Sequence, residues 1–190
     1  RSGLPPLIYP EPASAAVRQE IRPVPVEPAE SQVPELEVCP YCRVVAGTVS
    51  AVRLYADDLV VAIFDPAPIV AGHLLLLTRG HYPSLTGVPA PVRQRLMDLA
   101  AVLGQAVMRC VDGDGFNLHL ANGACAGQAI PHCCLQVIPR HPTDGFAWHW
   151  RALPVTTETL NGLATRVRER LAGTLLADEP APESPGAVAN

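Results

Sequence analysis

The sequence predicts an α+β fold built on a mainly antiparallel sheet. Short β-type runs come before and after one long amphipathic stretch, in the order strands, helix, strands, helix, rather than alternating one for one as in a doubly wound sheet. Turn signals such as Asp57-Asp58, Asp65-Pro66 and Asp112-Gly113 separate those runs. Hydrophobic residues make up 48% of the 190, enough to cover a sheet with a core.

The elements follow in order. Residues 1–37 are rich in Pro, Glu and Ala and are expected to form an extended arm, with Leu4, Leu7, Ile8 and Tyr9 as an early apolar cluster. No apolar segment there has the form of a signal peptide, and no run in the chain approaches the roughly 20 residues of a membrane span. The expected location is therefore the cytoplasm, with no membrane partner. The domain is expected over 38–177. Cys39-Pro40-Tyr41-Cys42 opens a short helix to about Ala46, which Gly47 ends. Val52–Tyr55, Leu59–Phe64 and Leu74–Leu77 read as strands. Pro91 to about Val111 is the long helix, with Pro in the first turn, where it is tolerated, and with Leu96, Leu99, Ala100, Leu103, Val107 and Cys110 on one stripe. Phe116–Ala121 and Cys133–Ile138 bring the sheet to five strands. Thr157 to about Ala177 reads as a C-terminal helix with Leu160, Leu163, Val167 and Leu171 as its apolar side. Residues 178–190 are expected to be a disordered tail.

Charge and cysteine content narrow the function. The net charge is −4 and the 14 cations are all Arg, so no broad basic surface invites nucleic acid. The six Cys of a chain with a full core and no export signal point away from a disulfide framework. Cys39 and Cys42 have the spacing of half a zinc site, or of a redox pair, and a metal would need two further ligands.

The densest chemistry lies in Gly127–Arg140. As a strand, it places His132, Cys134 and Gln136 on one face and Cys133, Leu135 and Val137 on the other. The first set is a site face and the second a core face. Cys110 is expected in the core, and Cys125 is expected as an exposed thiol in a Gly-rich loop. Asp65 either caps the turn that follows it or faces a ligand. Gln128 sits in a Gly-Gln turn, where its carboxamide would polarise a ligand oxygen. Asn122-Gly123 is a turn pair and a ligand contact. Phe64, with Ile63 and Leu54, would form an apolar wall. Trp148 and Trp150 flank His149 in an apolar patch. His73 is expected to hold the Gly72 turn, and His119, between Leu118 and Leu120, has no assigned role.

Phe64-Asp65, Gly72-His73, His81, Asn122-Gly123, Gly127-Gln128 and His132-x-Cys134-x-Gln136-Val-Ile-Pro-Arg stand in an order and at spacings that resemble the histidine triad (HIT) superfamily, over about Cys39 to Trp150. That family usually reads His-x-His-x-His in the last segment, and its middle His takes a nucleotidyl group. A branch of galactose-1-phosphate uridylyltransferases and some dinucleoside polyphosphate phosphorylases reads His-x-His-x-Gln. Here Cys134 stands at the nucleophile position, Gln136 matches the transferase branch, and Ala129 stands where HIT hydrolases often carry Ser or Thr. The resemblance implies a structural zinc on Cys39, Cys42, His81 and His132. It also implies a catalytic set of Cys134, Gln136 and Gln128. Substrate contacts would come from Phe64, Asp65, Asn122, Gly123, Gly127 and Trp148, and the Trp148 segment would reach a neighbouring subunit of a homodimer. The expected function is a hydrolase or nucleotidyltransferase acting on a nucleotide-like small molecule through a covalent Cys134 intermediate. Thiolates attack soft carbon centres more readily than phosphorus, so the alternatives are other thiol chemistry in a specialised biosynthetic pathway, or binding of a nucleotide or metabolite without catalysis.

Overall fold

The fold is described from a computed structural model, over residues 39–146 and 154–172. The chain divides into two units between Phe146 and Ala147. The first holds helix α1 (Pro40–Val45), strands β1 (Arg53–Ala56), β2 (Val60–Phe64) and β3 (Leu74–Thr78), helix α2 (Ala90–Cys110), and strands β4 (Gly115–His119) and β5 (Cys134–Arg140). The second holds helix α3 (Thr157–Leu171). The arm, the tail and Trp148 lie outside the described residues. Among the described residues no helix is long and apolar enough to cross a membrane.

The five strands form one antiparallel sheet in the order β1-β2-β3-β5-β4, as the α+β reading expects. Strands β2 and β3 carry near-continuous apolar runs because both of their faces are covered. On one face, Val60, Ala62, Leu74, Leu76, Leu135 and Val137 pack against Leu96, Leu99, Ala100 and Leu103 of α2. On the other, Val61, Ile63, Leu75 and Leu77 pack with Val44, Tyr41 and Val45 of α1. Arg53 of β1 donates to the carbonyl oxygens of Val44 and Val45, which ties α1 down over its end of the sheet. Cys133 is in the α2-side core, as its place in the strand pattern requires.

Two expectations are corrected here. Cys110 is exposed rather than core: it is the last residue of α2, and the buried stripe stops one turn earlier, at Val107. Phe64 packs with the α2-side cluster, whereas Ile63 belongs to the cluster that includes Cys134. A strand buried on both faces has no polar alternation to tell which residue points where. In α3 the apolar stripe forms as expected, and Leu160, Leu163 and Val167 are each close to half exposed within their own unit.

Gly72 sets the start of β3. Its φ of +85° lies in the left-handed region, and a Cβ there would stand 2.8 Å from Val107 Cγ2 on α2. Gly72→Ala combines backbone strain with overpacking and is expected to cost about 2–4 kcal/mol. Urea denaturation would show this as a lowered midpoint, and an unchanged midpoint would contradict the packing described.

Candidate metal centre and active-site face

Two adjoining clusters occupy the face that carries α1. The first is built from the ends of elements. Cys39 is the N-cap of α1, with Pro40 in its first turn, and Cys42 lies one turn on. The Cys133 N–H donates to Tyr82 O at 2.6 Å, which holds the loop after β3 against the approach to β5. That bond brings His81 and His132 together, their rings T-shaped with centroids 5.3 Å apart.

The ligand atoms of Cys39, Cys42, His81 and His132 all lie within 4.8 Å of one another. Nδ1 of His132 is 3.6 Å from Cys39 Sγ and 3.5 Å from Cys42 Sγ, and Nδ1 of His81 is 3.2 Å from Cys42 Sγ. A tetrahedral ion with metal–sulfur bonds of about 2.3 Å and metal–nitrogen bonds of about 2.0–2.1 Å needs sulfur–nitrogen edges of roughly 3.5 Å. The Nε2–H of His132 donates to Thr78 O at 2.9 Å, which leaves the Nδ1 lone pair toward the sulfurs. His132 is 1% exposed, and burial lowers its pKa, so the ring is held neutral as a ligand must be. Burial, and then the adjacent Cys39, push the Cys42 thiol up to about 12, so a cation between the sulfurs is what would let both ionise. These four residues therefore fit a metal ion.

The second cluster lies beside the first. Cys134 registers with Leu77 of β3, and Gln136 registers with Leu75 of β3 and His119 of β4. His132, Cys134 and Gln136 thus keep to the face expected of them, but His132 is turned into the first cluster. Burial chiefly, then the neighbouring Cys133, push the Cys134 thiol up to about 12, while a hydrogen bond from Tyr41 works in the opposite direction. The Tyr41 hydroxyl is itself raised well above the usual phenol range, first by burial and then by Cys134 and Asp65 nearby. Arg140 does not face the thiol; its guanidinium donates to Asp144, Asn117 and the carbonyl of Phe146.

His73 links Gln136 to Asp65. Its Nε2 is 3.1 Å from Gln136 Oε1, and its Nδ1 is 3.4 Å from Ile69 N and 3.3 Å from Asp65 Oδ2. Burial lowers the His73 pKa more than Asp65 and Gln136 raise it, and His119 lowers it further. The neutral ring accepts the Ile69 N–H and donates to Oε1, which leaves the Gln136 amide NH2 free of His73. His73 so holds the Gly72 turn as expected, and it also orients a residue of the site. Asp65 serves as a turn cap through the Ala67 N–H at 2.9 Å, with its other oxygen toward His73.

The remaining expected residues gather elsewhere. Asn122 Oδ1 accepts the Leu85 N–H at 2.7 Å. Gln128 accepts the Gly123 N–H at 2.7 Å and donates to Pro83 O at 2.7 Å. Both ends of its amide therefore help to hold the loop from Gly123 to Gly127, and one N–H of the amide is left beyond these two bonds. Gly123 and Gly127 have φ of +86° and +88° and are exposed, as is Cys125 between them. Phe64 is on the opposite face. Tyr41 and His119 are the residues that sequence reasoning passed over. The signal for Tyr41 was its position inside Cys-x-x-Cys, and the signal for His119 was a lone polar residue between two leucines.

The HIT domain family matches residues 46–143, which span the whole sheet. An uncharacterised HIT-like protein from Borreliella burgdorferi is 31% identical over 112 residues, 58% of this chain and 81% of that protein. Adenylylsulfatase HINT3 from Arabidopsis thaliana is 34% identical over 106 residues, 56% of this chain and 54% of that protein, so the chain spans about half the length of that relative. The crystal structure of a HIT family protein from Bacillus subtilis shares the fold, with a TM-score of 0.67 at 24% identity over 72% of this chain and 99% of that one. A Zn-bound histidine triad family protein from Mycobacterium smegmatis matches with a TM-score of 0.51 at 27% identity over 72% of this chain and 98% of that one. From its sheet, its site face and these matches, this chain belongs to the HIT family.

Proposed function

We propose that the chain acts on a nucleotide or nucleotide-like substrate on the face around Cys134, as a hydrolase or nucleotidyltransferase that forms a covalent bond to that sulfur. The observation that carries this reading is the setting of Cys134. It lies between the metal cluster on one side and Gln136, held by His73, on the other, with Tyr41 in the same cluster. Gln136 would donate to a phosphoryl oxygen as charge develops there, and Tyr41 would steady sulfur as it loses its proton. Asp65 and Ile63 are the candidates for sugar and base contacts on this face, in place of Phe64. The related Arabidopsis protein, named an adenylylsulfatase, supports a nucleotide substrate. The burial that holds the Cys134 thiol protonated favours a second reading, in which the face binds such a ligand without turnover.

The metal is proposed to be zinc, in a structural role. Two thiolates and two imidazoles are a zinc donor set, and four protein ligands leave no open position. The Mycobacterium smegmatis relative supports the same choice. A homodimer is also proposed, on the resemblance stated above, and sedimentation would test it.

Elemental analysis of the purified chain is expected to give one zinc per chain. Cys39→Ser should bind far less, and no zinc in the natural chain would overturn the assignment. Because the ligands must be deprotonated, zinc is expected to leave as the pH falls through the acid range, with loss of folded structure at the same pH.

Turnover is tested with a nucleoside 5′-phosphoramidate, a dinucleoside polyphosphate and a nucleotide sugar. A quenched reaction examined by mass spectrometry is expected to hold a nucleotidyl group on Cys134, and Cys134→Ala should reduce turnover at least 100-fold. Binding with neither adduct nor turnover would favour the second reading, and no nucleotide binding at all would overturn both. Alkylation by iodoacetamide near pH 8 is expected to modify exposed Cys125 and Cys110 well before Cys134.

A further inference from the structure

The face around Cys134 carries chemistry that the reading above leaves unused. His119 is the last residue of β4 and registers directly opposite Gln136 of β5. Directly paired residues of antiparallel strands point to the same face, with their Cβ atoms about 5 Å apart. His119 therefore stands on the face of Cys134 and Gln136, diagonal to the sulfur, at a distance a long side chain spans. Its neighbours in sequence confirm the side. Phe116 and Leu120 pack against the α2-side cluster, and alternation puts Asn117 and His119 opposite. His119 is half-buried, and it lies near enough to His73 for its charge to disfavour protonation of that ring.

A group transfer at this face needs a group that takes a proton near neutral pH and gives it back. An ordinary thiol is mostly protonated there, and its proton must go somewhere as the sulfur attacks. The other titratable groups facing this point are poorly suited. His73 is buried, with one nitrogen on Gln136 and the other on Ile69. His132 and His81 belong to the metal cluster. Asp65 caps a turn and faces His73. Tyr41 is a phenol whose pKa burial raises well above the usual range. Imidazole is the side chain suited to such proton transfer, and the β4–β5 register sets the half-buried ring of His119 opposite Gln136.

We infer that His119 is the general acid–base residue of this site, set opposite Gln136 by the β4–β5 register. The inference rests on the nucleotide reading above. The Cys134 S–H proton passes to a ring nitrogen of His119 as the sulfur–phosphorus bond forms, and the imidazolium returns it to the leaving group as the bond from phosphorus to that group breaks. Water then attacks the same phosphorus, its proton going to His119, the sulfur–phosphorus bond breaks, and the proton passes to sulfur. Atoms and charge balance, and no co-reactant beyond water is required.

The test uses the full chain, AMP as a binding probe and a nucleoside 5′-phosphoramidate as substrate, with His119→Ala and His119→Asn compared with the natural chain. Zinc content and thermal melting confirm that each variant is folded. The expected result is a fall in kcat/KM on the order of 10²–10⁴-fold with AMP affinity within about twofold. Free imidazole should restore part of the His119→Ala activity, and the kcat/KM pH profile should change shape. A His119 that merely braced Gln136 would give no imidazole rescue and no change in the pH profile, and that outcome overturns the inference. So does activity within about threefold of the natural chain, or AMP binding without turnover in the natural chain. Failure of the natural chain to bind AMP overturns the nucleotide reading itself and this inference with it.

Discussion

The hydrogen bond from His132 Nε2 to the Thr78 carbonyl, 2.9 Å long and fully buried, is the contact on which the site depends. It joins the end of β3 to the start of β5 and settles which ring nitrogen carries the proton. With Nε2 donating, Nδ1 faces the two sulfurs of α1. One imidazole therefore adds a polar link between the middle of the sheet and a helix already packed on it through Val44, Tyr41 and Val45. Everything after His132 on β5 takes its position from that anchor. Cys134 falls under Tyr41 because α1 is tethered there, and Gln136 falls beside His73 because β5 continues in register with β3.

The same face shows how burial separates the roles of similar groups. His132 and His73 are both buried, and both are held neutral by desolvation, yet one turns its free nitrogen to the sulfurs of α1 and the other brackets Gln136. The difference lies in the second nitrogen: a backbone carbonyl for His132, a carboxamide for His73. Cys133 and Cys134 are neighbours in sequence with opposite fates. The first is closed into the α2-side core, and the second stays partly open beneath a phenol. A strand delivers this contrast at no extra cost, since each residue turns the chemistry over.

Much of this is legible in the sequence. The five strands and the long helix were marked by apolar runs and turn pairs, and the four clustered ligands were marked by Cys spacing together with family resemblance. What was not legible depends on packing between elements. The face of Phe64 could not be read from a strand that is apolar throughout. The burial of Cys110 depended on where the cover over α2 stops. The bonds from Gln128 to Gly123 and Pro83 were not legible, because nothing in the sequence says that these groups come within its reach. Tyr41 meets Cys134, and His119 meets Gln136, through a helix position and a strand register that no local pattern encodes.

A metal held by Cys39, Cys42, His81 and His132 would fix the start of β5 and so present Cys134 and Gln136. X-ray absorption at the zinc edge of the purified chain tests it most directly. Two sulfurs at about 2.3 Å and two nitrogens at about 2.0–2.1 Å are expected around the metal, with one sulfur lost in Cys42→Ser. A shell made only of oxygen and nitrogen, or one unchanged by that substitution, would contradict it.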